Sequence, residues 1–428
     1  MTKKTTKQPG RTTAAQPQAG KTASQQPSKK TAFKAYVKEH KLSIIVLAIA
    51  AVIFFAMLFW LYSDDILHGE QDIFDPYGKD EIVEFEKAKV LAIVSEDKRT
   101  DEVADNAYVG SQELSAIVKS GRYKGETMTV YNYFGPLYGV PVEVGDGVTL
   151  TIKTHVDGTH SATVYEFNRI PMLAVLLLIF FAVTALIGGR TGVKSLFGLS
   201  FTVVCLFFIL IPLLIKGAPT VFTTFVMCAY IAVVAFTVLG GVHRKTVSAF
   251  LGTVSGAFLA MVFGLTVQYF AKINGLRLED AEPLLQLKYA GQDIPLHLQG
   301  LLVAGIIISA LGAVMDVAMS ISSALEEVHA ANPALSQKEL FKSGMNIGRD
   351  MVGTMTNTLI LAFLGSEFTL IIFLYVRGLT FYHLFSTVFV SVETISGLSS
   401  SIGMILAIPL TALISSTLIK SRKKKKKK

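Results

Sequence analysis

Residues 298–320 decide the fold class: they read LQGLLVAGIIISALGAVMDVAMS, and their only charged side chain is that of Asp316. A helix of about 20 apolar residues crosses the hydrocarbon core of a bilayer, because all its backbone polar groups can bond within the helix. This stretch therefore predicts a transmembrane helix, and seven others resemble it. The eight predicted spans are 42–62, 171–187, 193–215, 220–239, 246–270, 298–320, 350–375 and 398–419.

The charges are distributed in blocks along the chain. Residues 170–419 contain only 23 charged side chains, too few to solvate the surface of a soluble domain, so a soluble enzyme is excluded. Both termini are basic, and positive charge favours the cytoplasmic side. An even number of spans then predicts a multi-pass membrane protein with both termini in the cytoplasm. A cleaved signal peptide is the competing interpretation of 42–62, but that run is long and no small-x-small cleavage site follows it.

The N-terminal tail, residues 1–41, carries 10 basic residues and one acidic residue, and residues 420–428 carry eight basic residues. Residues 1–32 lack aromatic side chains and periodicity, which predicts disorder. Such tails favour binding to the anionic inner leaflet over binding to nucleic acid, at about 1 kcal/mol per charge. The uniform lysine run at 423–428 is also compatible with an added tag.

Residues 63–169 are expected to form an extracytoplasmic β domain. Polar and apolar residues alternate in 82–94, 126–133, 148–154 and 162–167, between turns rich in Gly, Asp and Pro. This pattern predicts a compact barrel of the OB or SH3 kind. The domain has 20 acidic and 10 basic residues, so it should repel nucleic acid. His155 and His160 near Asp157 could form part of a metal site, but two histidines in a turn are more often ordinary surface residues.

The motifs of common membrane enzymes are absent from the sequence. Cys205 and Cys228 both fall within predicted spans, and there is no His-Glu-x-x-His motif. The segment 188–195, GGRTGVKS, lacks the spacing of a P-loop and is better interpreted as a helix end followed by a basic turn. We expect no catalytic site, no metal site, no cofactor and no enzymatic activity.

The fifth predicted span carries small residues at strict intervals of four. On a helix these positions form one stripe along which another backbone can approach closely, so we expect tight helix packing there. A sliding surface for a moving helix is the alternative. The stripe consists of Ser248, Gly252, Gly256, Ala260 and Gly264.

Asp316 is the strongest functional candidate. It shares a helical face with small and hydroxyl side chains, including Gly312 and Ser320. A carboxylate inside an apolar span is costly unless it faces protein or water, and it is by default a functional-site hypothesis. The alternative is that Asp316 lies near enough to the inner interface to be solvated there.

The seventh span begins with a polar segment. Asp350, Thr354 and Asn357 share a face, and Asn357 lies at a depth comparable to that of Asp316. The two polar faces are therefore expected to meet, with Arg349 as a possible counter-charge. Glu367 lies towards the outer side and would form either a separate site at the far end of a path or an interfacial carboxylate.

Two amphipathic segments flank the seventh span. Residues 323–347 predict a cytoplasmic helical hairpin with a capping box at Ser336 and Glu339. Residues 381–395, which include Glu393, predict an interfacial or re-entrant helix on the outer side.

The chain resembles the YibE/F family of bacterial multi-spanning membrane proteins. The resemblance rests on GAVMDVAMSISS at 312–323, GRDMVGTMTNTL at 348–359 and the final span at 402–414, and it extends over roughly 80–419. It implies an N-terminal anchor, an outer domain and about seven further spans. It implies no activity, but it supports the choice of Asp316, Asp350 and Asn357.

Two functions are compatible with these features. The first is a permease or translocator for a small polar or ionic solute, in which the polar faces of the sixth and seventh spans line the path. The second is a non-transporting scaffold or sensor whose outer domain binds an envelope partner and whose polar faces hold helices together. Homo-oligomerisation is compatible with either.

Overall fold

A computed structural model of the chain describes residues 41–68, 82–155, 159–278, 281–289 and 295–425. Residues 1–40 of the N-terminal tail, the last three residues of the C-terminal tail and Asp157 lie outside these residues. A small β-barrel follows the first helix, and a helical bundle follows the barrel. The α-helices are α1 Lys41–His68, α2 Ile170–Cys205, α3 Ile211–Ile215, α4 Thr220–Gly240, α5 Arg244–Ala271, α6 Ala281–Tyr289, α7 Leu301–Ala331, α8 Gln337–Ser366, α9 Phe368–Val376, α10 Phe381–Ser386 and α11 Val388–Lys425.

Five strands close into a barrel in the order β1-β2-β3-β5-β4. Strands β3 and β5 run parallel to each other, and the other neighbouring pairs are antiparallel. A five-stranded Greek-key barrel is the OB arrangement, so the predicted small barrel is confirmed. The strands are β1 Ile82–Asp101, β2 Ala107–Val118, β3 Thr127–Phe134, β4 Gly147–Thr154 and β5 His160–Phe167.

The barrel is filled by the inward-facing alternate residues of its strands. Leu114, Val130, Leu150 and Ile152 are fully buried there. Strand β2 was missing from the sequence prediction because a glutamine, Gln112, occupies one of its inward positions. The Gln112 amide donates to the Val142 carbonyl, 3.0 Å away, and so ties a loop across the barrel.

Six helical segments among the described residues are long and apolar enough to cross a membrane. A seventh is obtained if α8 and α9, which meet at a 60° bend, are counted as one span. The predicted class, a helical multi-pass membrane protein with a small barrel, is confirmed.

The longest of these segments, Ile170–Ile215, has 46 residues, about twice the length that one crossing needs. Its backbone leaves the helical conformation at Gly189 (φ 52°, ψ −134°). A Cβ atom at Gly192 would lie 2.2 Å from the Thr184 carbonyl oxygen. In a straight helix these residues would be about 12 Å apart along the axis, so the chain reverses at Gly189. The two arms correspond to two of the eight predicted spans.

The sequence prediction was wrong about the boundaries of the later helices. Residues 323–347 form the predicted helical hairpin with its turn and its capping box of Ser336 and Glu339, but its two arms are continuous with the spanning helices, since α7 extends to Ala331 and α8 begins at Gln337. Residues 381–395 do not form one interfacial helix either. Only α10 is separate, and Val388 already begins the last spanning helix.

Helices α5, α7, α8 and α11 form the densest part of the bundle. Helices α7 and α11 run in the same direction, since Ser309 bonds to Ser400 and Ser322 to Ser415. Helix α1 lies at the periphery, where the Tyr230 hydroxyl donates to the Ala50 carbonyl oxygen at 2.7 Å. The first arm of α2 has no buried residue before Gly192.

Candidate functional site

The break between α8 and α9 positions the first residue of the candidate site. Helix α8 ends at Ser366, and Glu367 has non-helical backbone angles (φ −96°, ψ 13°) before α9 begins. The axes of the two helices differ by 60°. The Glu367 side chain therefore projects at a corner of the chain and not along a continuous helix.

The corner faces a cavity of about 210 Å³ that we call the barrel-side cavity. Glu367 and Glu393, from the second turn of α11, both line it, and Thr394 is the only other polar side chain in the lining. The remaining lining residues are Ile360, Phe363, Leu364, Leu370, Ile371, Phe385, Val390, Gly397 and Leu398. The cavity is smaller than the about 300 Å³ at which pockets for drug-sized ligands begin, so it fits a small occupant.

Both carboxylates are half-buried. Both belong to the lining of the same cavity, and neither forms a hydrogen bond or ion pair with another described residue. Two negative charges in an apolar cavity are stabilised by a bound cation or by a proton that one of them holds. The chemistry that this arrangement offers is therefore cation or proton binding.

The cavity lies at the same end of the bundle as the barrel. Helix α1 leads to the barrel, and near its end the Lys216 ammonium donates to the Leu61 carbonyl oxygen. Helix α4 starts just after Lys216, and α5 returns to the same end at Lys272. Lys272 lines a second cavity together with Phe385 and Thr394, which also line the barrel-side cavity.

Asp316 is exposed, and it lies on the side of α7 that is opposite the packed core. Ile321, which is fully buried, is rotated from it by about 140° around the helix. Gly312 and Ser320 share the exposed side with Asp316. No hydrogen bond or ion pair links Asp316 to another described residue.

The polar face of α8 is exposed in the same way. Gly348 is buried against Ile408 and Ile321, where an added Cβ would lie 2.1 and 3.4 Å from their side chains. Asn357 is rotated by about 180° from Gly348. Four further predicted or adjacent residues are exposed with it: Arg349, Asp350, Gly353 and Thr354.

The expectation that the faces of Asp316 and Asn357 meet was therefore wrong for a single chain. Each face is turned away from the contact between α7 and α8. The reason is that α11 packs against both helices, and Ile408 of α11 lies against Gly348, on the side of α8 opposite Asn357. Glu367 lies apart from both faces, at the break between α8 and α9.

The small-residue stripe of α5 lies inside the bundle. All five of its residues are buried. An added Cβ would lie 2.1 Å from the Thr411 hydroxyl at Gly252, and 2.7 Å from the Ala407 Cβ at Gly256. Backbones approach closely along this stripe.

Two features of the site were missed by the sequence analysis. One is the pairing of Glu393 with Glu367, which depends on where α9 and α11 begin. The other is a seam of hydroxyl groups between α7 and α11, in which Ser309 and Ser400 are 2.6 Å apart and Ser322 and Ser415 are 3.0 Å apart. The run of serines at 399–401 was the available signal for the seam.

The remaining candidates have ordinary environments. His160 lies 3.3 Å from the Tyr123 hydroxyl and 3.2 Å from the Thr154 hydroxyl. Cys205 and Cys228 are buried among apolar side chains. Within the described ranges, no three His, Cys, Asp or Glu side chains are grouped as a metal site requires.

Comparisons with known proteins give two matches to family models. The model described as YibE/F-like protein matches residues 176–421, and the model described as YibE/F family N-terminal domain matches residues 81–167. The first covers the helical bundle and the second covers the barrel. No curated protein and no solved structure matches the chain.

Proposed function

The chain belongs to the YibE/F family of integral membrane proteins, and from that premise we propose that it is a translocator for a small cation or a small solute with a positive charge. The observation that carries the proposal is the barrel-side cavity, in which Glu367 and Glu393 share an otherwise apolar lining beside a broken helix.

The broken helix supports this function because transporters commonly bind ions where a spanning helix is interrupted. A continuous helix satisfies all its backbone groups internally and offers no ligands to a solute. At the junction of α8 and α9, the chain instead turns by 60° and presents a carboxylate. Retaining two carboxylates in an apolar cavity is costly without a functional reason.

The proposal includes an orientation. The basic tails lie on the cytoplasmic side of the bacterial cell membrane, against the anionic leaflet. Since α1 is followed by the barrel, residues 63–169 and the barrel-side cavity lie on the outer side. The two carboxylates then bind the cation where it enters or leaves the membrane.

Flux measurements in proteoliposomes test the proposal. Purified chain is reconstituted, and the movement of H⁺, Na⁺, K⁺, Mg²⁺ and Mn²⁺ is followed with ion-sensitive dyes. We expect flux of at least one of these ions, reduced at least tenfold by Glu393→Gln and by Glu367→Gln. Glu326→Gln, an exposed carboxylate near the opposite end of the bundle, is the matched control and should leave the flux unchanged.

Two outcomes would contradict the proposal. One is the absence of flux of all five ions in vesicles whose protein is shown to be folded. The other is a flux that survives both glutamine substitutions unchanged. Either outcome would favour the second candidate function.

That second candidate is a scaffold whose barrel binds an envelope partner. It is favoured by an aromatic surface on the barrel, where Phe85 and Tyr165 are 49% and 59% exposed and their rings are 5.0 Å apart. Tyr131 and Tyr133 are similarly exposed on β3. Cross-linking in cells with and without residues 63–169 distinguishes the two functions, because only a scaffold loses its partners when the barrel is removed.

A further inference from the structure

We infer that the loop between β3 and β4 of the barrel, residues 135–146, inserts the apolar tips of its two turns into the headgroup region of the bilayer that holds the helical bundle. This loop is called the apolar loop below. The inference does not depend on the barrel-side cavity, on transport or on the side of the membrane where the barrel lies, and its test measures no flux.

The first turn of the apolar loop presents Leu137 at its tip. The Gly135 N–H donates to the Tyr138 carbonyl oxygen at 2.7 Å, and the Tyr138 N–H donates to the Gly135 carbonyl oxygen at 3.3 Å. These two bonds close a two-residue turn, in which the Leu137 side chain is 95% exposed. Tyr138 is exposed beside it. The turn therefore holds an aliphatic and an aromatic side chain away from the barrel core.

The second turn presents Val144, which is 61% exposed. The Asp146 carboxylate accepts from the Glu143 N–H at 2.8 Å, and the Asp146 N–H donates to the Glu143 carbonyl oxygen at 3.1 Å. The Gly145 N–H donates to the carbonyl oxygen of Val90 in β1 at 2.9 Å. These bonds fix the second turn against the barrel.

The segment between the two turns is held by two buried polar side chains of the barrel, those of Gln112 and Asn132. The Gln112 amide oxygen accepts from the Val142 N–H at 3.0 Å, and the Asn132 amide donates to the Val140 carbonyl oxygen at 3.0 Å. A loop that is tied in this way cannot fold back to cover Leu137. It also loses little conformational freedom when it meets a partner.

The apolar loop ends beside the point where the chain enters the membrane. Strand β5 ends at Phe167, and the spanning helix α2 begins at Ile170. The Asn168 N–H donates to the carbonyl oxygen of Gly147, the residue that directly follows the loop, at 3.0 Å. Since two residues of extended chain span at most about 7 Å, Gly147 lies within about 10 Å of the start of α2.

The tip of the first turn reaches the same level. Strands β3 and β5 are parallel neighbours in which Tyr131 pairs with Thr163, so both run towards the membrane. Counting six residues along each chain from this pair places Leu137 about level with Arg169, the residue before α2. Every exposed residue of α2 from 170 to 187 is apolar, so this level is the surface of the bilayer.

Lipid is the partner that fits the loop at this position. Leucine and valine side chains favour an apolar environment, and tyrosine is enriched at the interface between membrane and water. The loop continues the lipid-facing surface of α2, so a protein partner would have to displace the bilayer to reach it. Headgroup-level insertion by apolar side chains is the usual way in which amphipathic segments bind a membrane surface.

The hairpin between β1 and β2 provides a matched control on the same barrel. Val103 at its tip is 96% exposed, as Leu137 is, but its neighbours include the carboxylates of Asp101, Glu102 and Asp105. Carboxylates are costly to remove from water, so this tip should stay in the aqueous phase.

Collision measurements on a nitroxide label test the inference. The full chain carrying Leu137→Cys or Val103→Cys is labelled and reconstituted into phosphatidylcholine liposomes. Collisions are then measured with oxygen, which concentrates in lipid, and with a water-soluble nickel chelate present on both sides of the membrane. We expect nickel collisions at position 137 to be at least fivefold less frequent than at position 103, and oxygen collisions to be at least twofold more frequent.

The comparison of two labels removes the affinity of the nitroxide itself for lipid, because both positions carry the same label. Unsubstituted chain is the labelling blank, since Cys205 and Cys228 are buried. Folding is checked by hydrogen exchange in β4, which should match that of the unlabelled chain. If Leu137→Cys fails this check, Val144→Cys replaces it, and the same differences from position 103 are expected.

Two results would overturn the inference. One is a loop label that collides with nickel as often as the label at position 103, because the apolar loop would then lie in water. The other is a loop label that collides rarely with both nickel and oxygen, because the loop would then be covered by protein and not by lipid.

Discussion

The barrel and the bundle bury different kinds of side chain. The barrel is filled by large aliphatic residues such as Leu114, Leu150 and Ile152, all fully buried. The closest contacts of the bundle are made by small residues, as where Gly403 lies against Ala260 and Gly256. The barrel folds in water, where removing apolar area from solvent stabilises the fold. Between helices in lipid that gain is absent, so close approach of backbones and polar bonds must hold the bundle together.

The largest effect is expected when a barrel side chain is truncated. Leu150→Ala leaves a cavity in the core and should lower the free energy of unfolding of the barrel by about 2–5 kcal/mol. Hydrogen exchange measured by mass spectrometry on the full chain reports this as exchange in β4 that is roughly 30-fold to several-thousand-fold faster. The helical peptides should be unchanged.

Thr129→Ala, at an exposed outward position of β3, is the control for this change and should alter barrel stability by less than about 0.5 kcal/mol. Equal effects of the two substitutions would mean that the barrel is not stabilised by its aliphatic interior.

A smaller effect is expected when a bundle residue is enlarged. In Gly403→Ala the new Cβ would lie 2.5 Å from the Ala260 Cβ and 3.0 Å from the Gly256 carbonyl oxygen. Since no flexible side chain can move aside, the helices must separate, which should cost about 1–3 kcal/mol. The measurement is the temperature at which Cys205 and Cys228 become reactive to a thiol-specific dye.

The matched control is Gly365→Ala, where an added Cβ meets no atom within 4 Å. It should change the unfolding temperature little. If both glycine substitutions are tolerated equally, close backbone approach does not stabilise the bundle.

The difference between the barrel and the bundle also explains which elements of the fold could be predicted from the sequence. The spans and the barrel strands can be predicted because water and lipid favour different sequence patterns. Polar and apolar residues alternate in the strands of the barrel, whereas each spanning helix is a continuous run of apolar residues. Strand β2 was not predicted because the buried side chain of Gln112 interrupts its alternation, and the partners of that side chain lie on other strands and in a distant loop. The depths of Asp316 and Asn357 followed from residue spacing along each helix.

The rotation of each helix about its axis did not follow from spacing. The rotation is set by contacts with a third helix. Ile408 of α11 packs against Gly348, and this contact determines which face of α8 lies in the core. The pairing of Glu367 with Glu393 likewise depends on a helix break and a helix start that lie 21 residues apart in the chain. Such relations are tertiary, and no local pattern contains them.

The smallest effect is expected for a hydrogen bond in the bundle. Ser322 and Ser415 are each 1% exposed, and their hydroxyl oxygens are 3.0 Å apart. Hydrogen bonds between spanning helices contribute on average about 0.6 kcal/mol, because a serine that loses its partner bonds to a carbonyl of its own helix. A double-mutant cycle of Ser322→Ala and Ser415→Ala, followed by cysteine reactivity, should give a coupling energy of about that size. A coupling energy above about 2 kcal/mol would show that polar bonds, and not the close packing at Gly403, are the main stabilising interactions of the bundle.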